Sequence, residues 1–275
     1  TYIGIFIIMF SVISSGMVAV MTQNIGAGRP GVAYQARQLG LAFNAVLGVI
    51  MSLFLSLGAG TILSGVGVAD ALMQPAKTYL QIVGGFCILN ALIPICSSYL
   101  RAFGFSKEPL YASIIGNVIN FCLNAFFLFV LHKGVAGVAT ATVISRIINL
   151  VIVVLLGAVL VKAKQHPERE SNRAVMGQII RIGLPSACET AIYNVSMTLV
   201  IRFLNQMDAQ GLNVTARSYT MQITNFSYCV GAALAQANAI MTGWHIGAKE
   251  YDACDRGTRK AAIIGVIVAV ILETM

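Results

Sequence analysis

The sequence predicts an all-α integral membrane protein, a polytopic helical bundle. Of its 275 residues 57% are hydrophobic and 10% charged, against about 25% charged in an ordinary soluble domain. The apolar residues gather into runs that match the ~20 residues a spanning helix needs. These runs lack the alternation of a membrane barrel, and in lipid a helix alone satisfies its own backbone amides.

In chain order the runs cover about 1–24, 38–66, 79–100, 110–131, 136–161, 175–204, 218–243 and 261–275. The first stops at Gly26-Ala27-Gly28-Arg29-Pro30-Gly31, residues that favour a tight turn. That hexapeptide matches the GxGxxG expression of dinucleotide-binding loops, but the strand before it and the acid about twenty positions on are missing. Pro94 and Pro185 fall inside the third and sixth runs, where they shape a helix instead of ending it. The eighth run reaches the last residue, Met275, and the first begins at Thr1 with no basic leader or cleavage site. The chain is therefore expected to be an internal piece of a longer protein, with helices on both sides.

The formal net charge of +8 resembles that of a nucleic-acid binder, but the cations lie between the apolar runs. Of the 18 Lys and Arg, Arg146 is deep inside a run, Lys77, Lys133, Arg202 and Arg217 are in even connections or the run ends beside them, and the other thirteen, Arg181 among them, are in odd connections or the run ends beside them. By the positive-inside rule the odd connections are cytoplasmic, and the first run travels inward. The polar stretch KAKQHPERESNR, within residues 162–174, is too short for a folded domain and serves as a linker between two membrane halves. A repeat supports the division: Phe10-Ser11 to Ile25-Gly26-Ala27 in the first run is similar to Phe226-Ser227 to Ile246-Gly247-Ala248 in the seventh. Both copies cross in one direction, as parallel repeats do in some transporters.

The six cysteines show no CxxC spacing, and His132, His166 and His245 form no metal-ligand pattern. Without a GxSxG elbow or a GxxxxGK[ST] loop, neither a membrane hydrolase nor an ATP-driven pump is supported. No enzyme is expected. Amides are frequent inside the runs, and Asn117, Asn120 and Asn124 share one helical face, the signature of a polar cavity. Arg146 lies about ten residues into its run, too deep for easy snorkelling. Glu189 is the one carboxylate inside a complete apolar run, eight residues past Arg181 and just beyond Gly183-Leu184-Pro185. A charge in the bilayer costs roughly 2.5–3.5 kcal/mol on insertion scales. Such a residue is functional by default, taking a proton or binding sodium. Glu273 also lies in an apolar setting, in the run that stops at Met275.

These residues resemble the multidrug and toxic compound extrusion (MATE) family of the flippase-like exporter superfamily. The resemblance is carried by Gln23–Gly28 with Ala33, by Tyr99–Gly104 with Pro109, and by Asn117–Asn124, Gly134–Thr142 and Ile182–Pro185 with Glu189. It implies that the runs are helices two to nine of twelve in a fold of two six-helix lobes around a central cavity. Residues 1–161 would then be part of the N-terminal lobe, 162–174 the cytoplasmic linker, and 175–275 part of the C-terminal lobe.

The resemblance further implies a bacterial inner-membrane antiporter that exports drugs and organic cations in exchange for H+ or Na+. It would work as a monomer, without nucleic acid, metal or other cofactor. Glu189 would be the coupling site, with Asn120, Asn124 and Asn194 lining the cavity. Many members have an aspartate where this chain has Asn124, and some place the glutamate four residues further from the proline. The alternatives are a lipid-linked saccharide flippase of the same superfamily, for which Arg146 alone speaks, and a non-transporting membrane scaffold.

Overall fold

The computed structural model describes residues 2–66, 70–161, 168–207 and 212–274, all helices and turns, with no strand among them. The helices are α1 (Tyr2–Gly26), α2 (Pro30–Leu57), α3 (Ala59–Val66), α4 (Asp70–Gly85) and α5 (Ile88–Ala102), then α6 (Lys107–Ala125) and α7 (Gly134–Leu160). After the linker come α8 (Asn172–Met207), α9 (Leu212–Gly247) and α10 (Tyr251–Thr274). Residues 162–167 of the linker, with His166, lie outside the described residues, as does the side chain of Glu273.

Among the described residues α2, α7 and α6 extended to Val130 are each long and apolar enough to cross a bilayer, and the bent pair α4–α5 makes a fourth candidate. Phe121 and Phe129, 75% and 76% exposed, show how apolar the outer face of α6 and its extension is. In α8 and α9, each 36 residues long, amides and Glu189 dilute the apolar content. The apolar runs correspond to helices, but two of them are broken. Gly58 separates α2 from α3, and Phe86-Cys87 separates α4 from α5 with a 42° bend.

The second break has a local cause. Gly84 and Gly85 weaken the helix, and a Cβ on Gly84 would stand 2.9 Å from the Leu55 Cβ, so only glycine lets α2 this close. The freed Ile88 amide at the break donates to Ser52 Oγ of α2 at 3.2 Å, which caps the start of α5. Pro94 and Pro185 both lie within continuous helices. At the end of α5, Gly104 takes φ 87° and the Phe105 amide donates to the Leu100 carbonyl at 3.0 Å, a Schellman stop. The extension of α6 over Phe126–Val130 is a π-helical turn.

Two compact units form. One holds residues 1–33 and 177–275, the other 34–176. This grouping differs from a division by sequence order in the placement of α1, which packs along α9.

In the first unit the repeat is realised with a constant offset. Gly26 and Gly247 end α1 and α9 and lie 221 positions apart, as do Gly28 and Lys249, and Pro30 and Tyr251, which start the next helices. Gly28 and Lys249 both take left-handed φ, 72° and 62°. The Arg29 amide donates to the Asn24 carbonyl and the Glu250 amide to the His245 carbonyl, each at 2.8 Å. The Phe-Ser pairs at 10–11 and 226–227 fall outside this offset, so they are not corresponding positions.

The two glycine ends also meet each other. A Cβ on Gly26 would stand 2.0 Å from the Trp244 carbonyl oxygen, and one on Gly247 would stand 2.0 Å from that of Gln23, positions again 221 apart. Gly243 lies against the Thr22 side chain in the same way, and Gly16 of α1 against the Ile179 carbonyl of α8. Small residues that bring backbones together are what drives helix association in lipid, where apolar side chains gain little by leaving it.

Gly26→Leu or Gly247→Leu in the full-length protein should therefore force the helices apart and cost about 1–3 kcal/mol. The melting temperature in detergent should fall accordingly. Gly231→Ala, where a Cβ would meet nothing within 4 Å, should leave it unchanged or slightly raised.

Candidate functional site

In the second unit α6 and α7 pack side by side. Gly116 makes the approach possible: a Cβ there would crowd the Asn149 side chain at 3.3 Å. Polar residues of both helices then line a partly open cavity of about 130 Å³, formed by Gly116, the exposed Asn117, Asn120, Thr142, Ser145, Arg146 and Asn149. The cavity is placed by helical spacing. Asn117 and Asn120 are three apart on α6, and Thr142, Ser145, Arg146 and Asn149 recur at three and four on α7.

A hydrogen-bond chain runs along one wall. Asn124 Nδ2 donates to Asn120 Oδ1 at 3.1 Å, Asn120 Nδ2 to Ser145 Oγ at 3.3 Å, and the Ser145 hydroxyl to the Thr142 carbonyl at 2.9 Å. The Thr142 hydroxyl turns back to the Val138 carbonyl at 2.9 Å. At the far end Asn124 Oδ1 is buried without a hydrogen-bond donor. Arg146 is half-buried and, among the described residues, makes no ion pair or hydrogen bond.

Asn120 and Asn124, predicted as cavity residues, are thus brought together in this unit. Glu189 and Asn194 belong to the other. Glu189 is exposed on α8, one turn past Pro185, with no ion pair or hydrogen bond among the described residues. Its neighbours Gly183 and Ala187 are buried, so the carboxylate lies on the side of α8 away from α1. Asn194 is exposed on the same helix and spends an amide N–H on the Thr190 carbonyl at 2.8 Å.

Three further placements were not legible. The Arg37 guanidinium lies 4.5 Å from the Tyr99 ring centroid and 5.9 Å from that of Tyr34. It edges an apolar cavity of about 380 Å³ that Leu41, Leu92, Cys96 and Val154 help line. Gln35 holds the end of the linker, accepting from the Glu170 amide at 3.0 Å and donating to the Glu170 carbonyl at 2.7 Å and to Asn172. Their only sequence signal was Tyr34 and Arg37 one turn apart. His245 binds Glu250 at 2.9 Å, and among the described residues no group of His, Cys, Asp and Glu is placed to hold a metal.

Apolar-faced helices carrying half-buried amides, with a carboxylate on one helix and a guanidinium on another, are the features of a polytopic membrane protein of the transporter class. Comparison with known proteins agrees. The sequence profile of the MatE family matches residues 1–126 and 185–275, and the chain belongs to that family.

The uncharacterized transporter YisQ of Bacillus subtilis is 32% identical over 257 residues, covering 91% of this chain and 56% of YisQ. The probable multidrug resistance protein NorM of Streptococcus pneumoniae (strain ATCC BAA-255 / R6) is 26% identical over 261 residues, covering 87% of this chain and 54% of NorM. A multidrug resistance MATE family transporter of the MOP superfamily, solved in an outward-facing conformation, superposes with a TM-score of 0.82 at 20% identity, over 97% of this chain and 59% of that one. The chain therefore spans about half the length of the curated relatives it matches. The all-α polytopic fold expected from sequence is the fold of these transporters.

Asn120 takes part in two of the three bonds along the wall and Asn124 in one. Only the Asn120–Ser145 bond crosses from α6 to α7, worth about 0.6 kcal/mol, so Asn120→Ala should lower the melting temperature of the purified full-length protein more than Asn124→Ala. Equal losses would mean that the chain of bonds does not act as drawn.

Proposed function

We propose that the full protein is a secondary antiporter that exports amphipathic organic compounds, organic cations among them, in exchange for H+ or Na+ by alternating access. The observation that carries this reading is Glu189, a carboxylate within an apolar helix, exposed and without a partner among the described residues. A membrane-embedded charge persists where an ion or a proton offsets it. Proton or sodium uptake at Glu189 neutralises the site, and a substrate cation competes for the same carboxylate. The two ligands thereby bias the inward- and outward-open states in opposite directions.

On this reading the amides of Asn120 and Asn124 face the transported substrate, and Asn194 offers its remaining amide positions on the same helix as Glu189. Residues 162–174 join two lobes, the odd connections face the cytoplasm, and the protein works as a monomer in the bacterial plasma membrane. The drug-resistance name of the NorM relative supports the substrate class. The saccharide-flippase reading has Arg146 as its one supporting residue.

The test is Glu189→Gln in proteoliposomes of the full-length protein. The isosteric amide cannot ionise, so efflux of a fluorescent organic cation driven by an imposed pH or sodium gradient should fall at least tenfold at equal reconstitution. Unchanged efflux under both gradients would sink the coupling role.

A further inference from the structure

The cavity between α6 and α7 has a charge that the export of cations does not use. Arg146 is permanently ionised and lies twelve residues past the start of α7, about 18 Å along its axis at 1.5 Å per residue. Among the described residues no carboxylate forms an ion pair with it. The sequence from 34 to 176 contains four acids, Asp70, Glu108, Glu168 and Glu170, and none of them falls in α5 or α7. All residues lining the cavity other than Arg146 are neutral.

The donors of the cavity can be accounted for one by one. The hydroxyls of Thr142 and Ser145 are spent on backbone carbonyls, and Asn120 gives one of its two N–H groups to Ser145. What remains is the second Asn120 N–H, the Arg146 guanidinium with its five N–H groups, and the amides of Asn117 and Asn149, which like Arg146 make no side-chain hydrogen bond among the described residues. Beside a guanidinium an amide turns its NH₂ end toward any shared acceptor. With the amides so turned, their N–H groups and the guanidinium present several donors around one cation, a set that suits an oxyanion.

Size narrows the choice. A cavity of about 130 Å³ falls well short of the ~300–1,000 Å³ of a drug-sized pocket. It has room for one carboxylate or phosphate group.

We propose that this pocket is an oxyanion site, in which Arg146, flanked by Asn117 and Asn149, binds a carboxylate or phosphate group. The site stands on the pocket itself and does not rest on the coupling role of Glu189. Its oxyanion has two possible sources, a small solute or the phosphate of a lipid headgroup.

The test is thermal unfolding of the purified full-length protein in a neutral detergent. Sodium acetate, sodium phosphate and a short-chain phosphatidic acid are titrated separately, each against sodium chloride of matched ionic strength. A saturable rise in melting temperature with acetate or phosphate is expected if the source is a solute, and with phosphatidic acid alone if it is a lipid. In either case Arg146→Gln should abolish the rise. Arg146→Lys, which keeps the charge and the fold but loses the bidentate fork, should raise the midpoint concentration about tenfold.

No rise with any of the three would overturn the site, including the case in which a carboxylate elsewhere in the full protein already pairs with Arg146. A rise that survives in Arg146→Gln would overturn it as well.

Discussion

The reciprocal contact of Gly26 with the Trp244 carbonyl and of Gly247 with the Gln23 carbonyl is the constraint on which the first unit depends. Lipid tails are as apolar as leucine, so two helices in a bilayer gain little by hiding greasy side chains from them. Close backbone approach supplies the attraction instead, through dispersion and Cα–H···O contacts that only glycine permits at this separation. About ten residues before Gly26, α1 is also held by Gly16 against the Ile179 carbonyl, so a single helix ties α9 to α8. Glu189, the proposed coupling carboxylate, rides on that same α8 one turn past its proline. Its presentation depends on glycines far from it in sequence.

The same contact explains why the repeat is exact at its end and loose elsewhere. Both copies must stop the helix with a left-handed residue, return through a short turn and offer a glycine to the partner. Those demands fix a constant separation of 221 over the last turns and the following helix start. Lys249 meets the demand where its counterpart is Gly28, so the backbone geometry is kept even where the side chain is not. Further up the helices the Phe-Ser resemblance is not in register.

Much of this was legible in the sequence. Hydropathy marked every long helix, and the three-and-four spacing of Asn117, Asn120 and Asn124 put them on one face of α6, where Asn117 and Asn120 line a pocket and Asn124 bonds to Asn120. The GxGxxG expression is a helix-ending turn at Gly28. The breaks at Gly58 and Phe86-Cys87 were not legible, because hydropathy averages over a window and does not sense one missing backbone bond. Gly84-Gly85 was the available signal, and its meaning depends on Leu55 and Ser52 from another helix. Nor does periodicity say which helices associate. The Gln35 grip on the linker and the pairing of α1 with α9 join residues more than 130 positions apart.

Two charges within apolar helices organise the functional account: a carboxylate on α8 in one unit, and a guanidinium on α7 in the other. The carboxylate is the one that an ion-coupled exporter requires. The most direct measurement is substrate-stimulated ion movement, recorded as internal pH or sodium in proteoliposomes of the full-length protein without any imposed gradient. The account predicts that an outwardly directed gradient of organic cation drives H+ or Na+ inward, in fixed proportion to the cation released. Cation release with no accompanying ion flux, or no release at all, would contradict it.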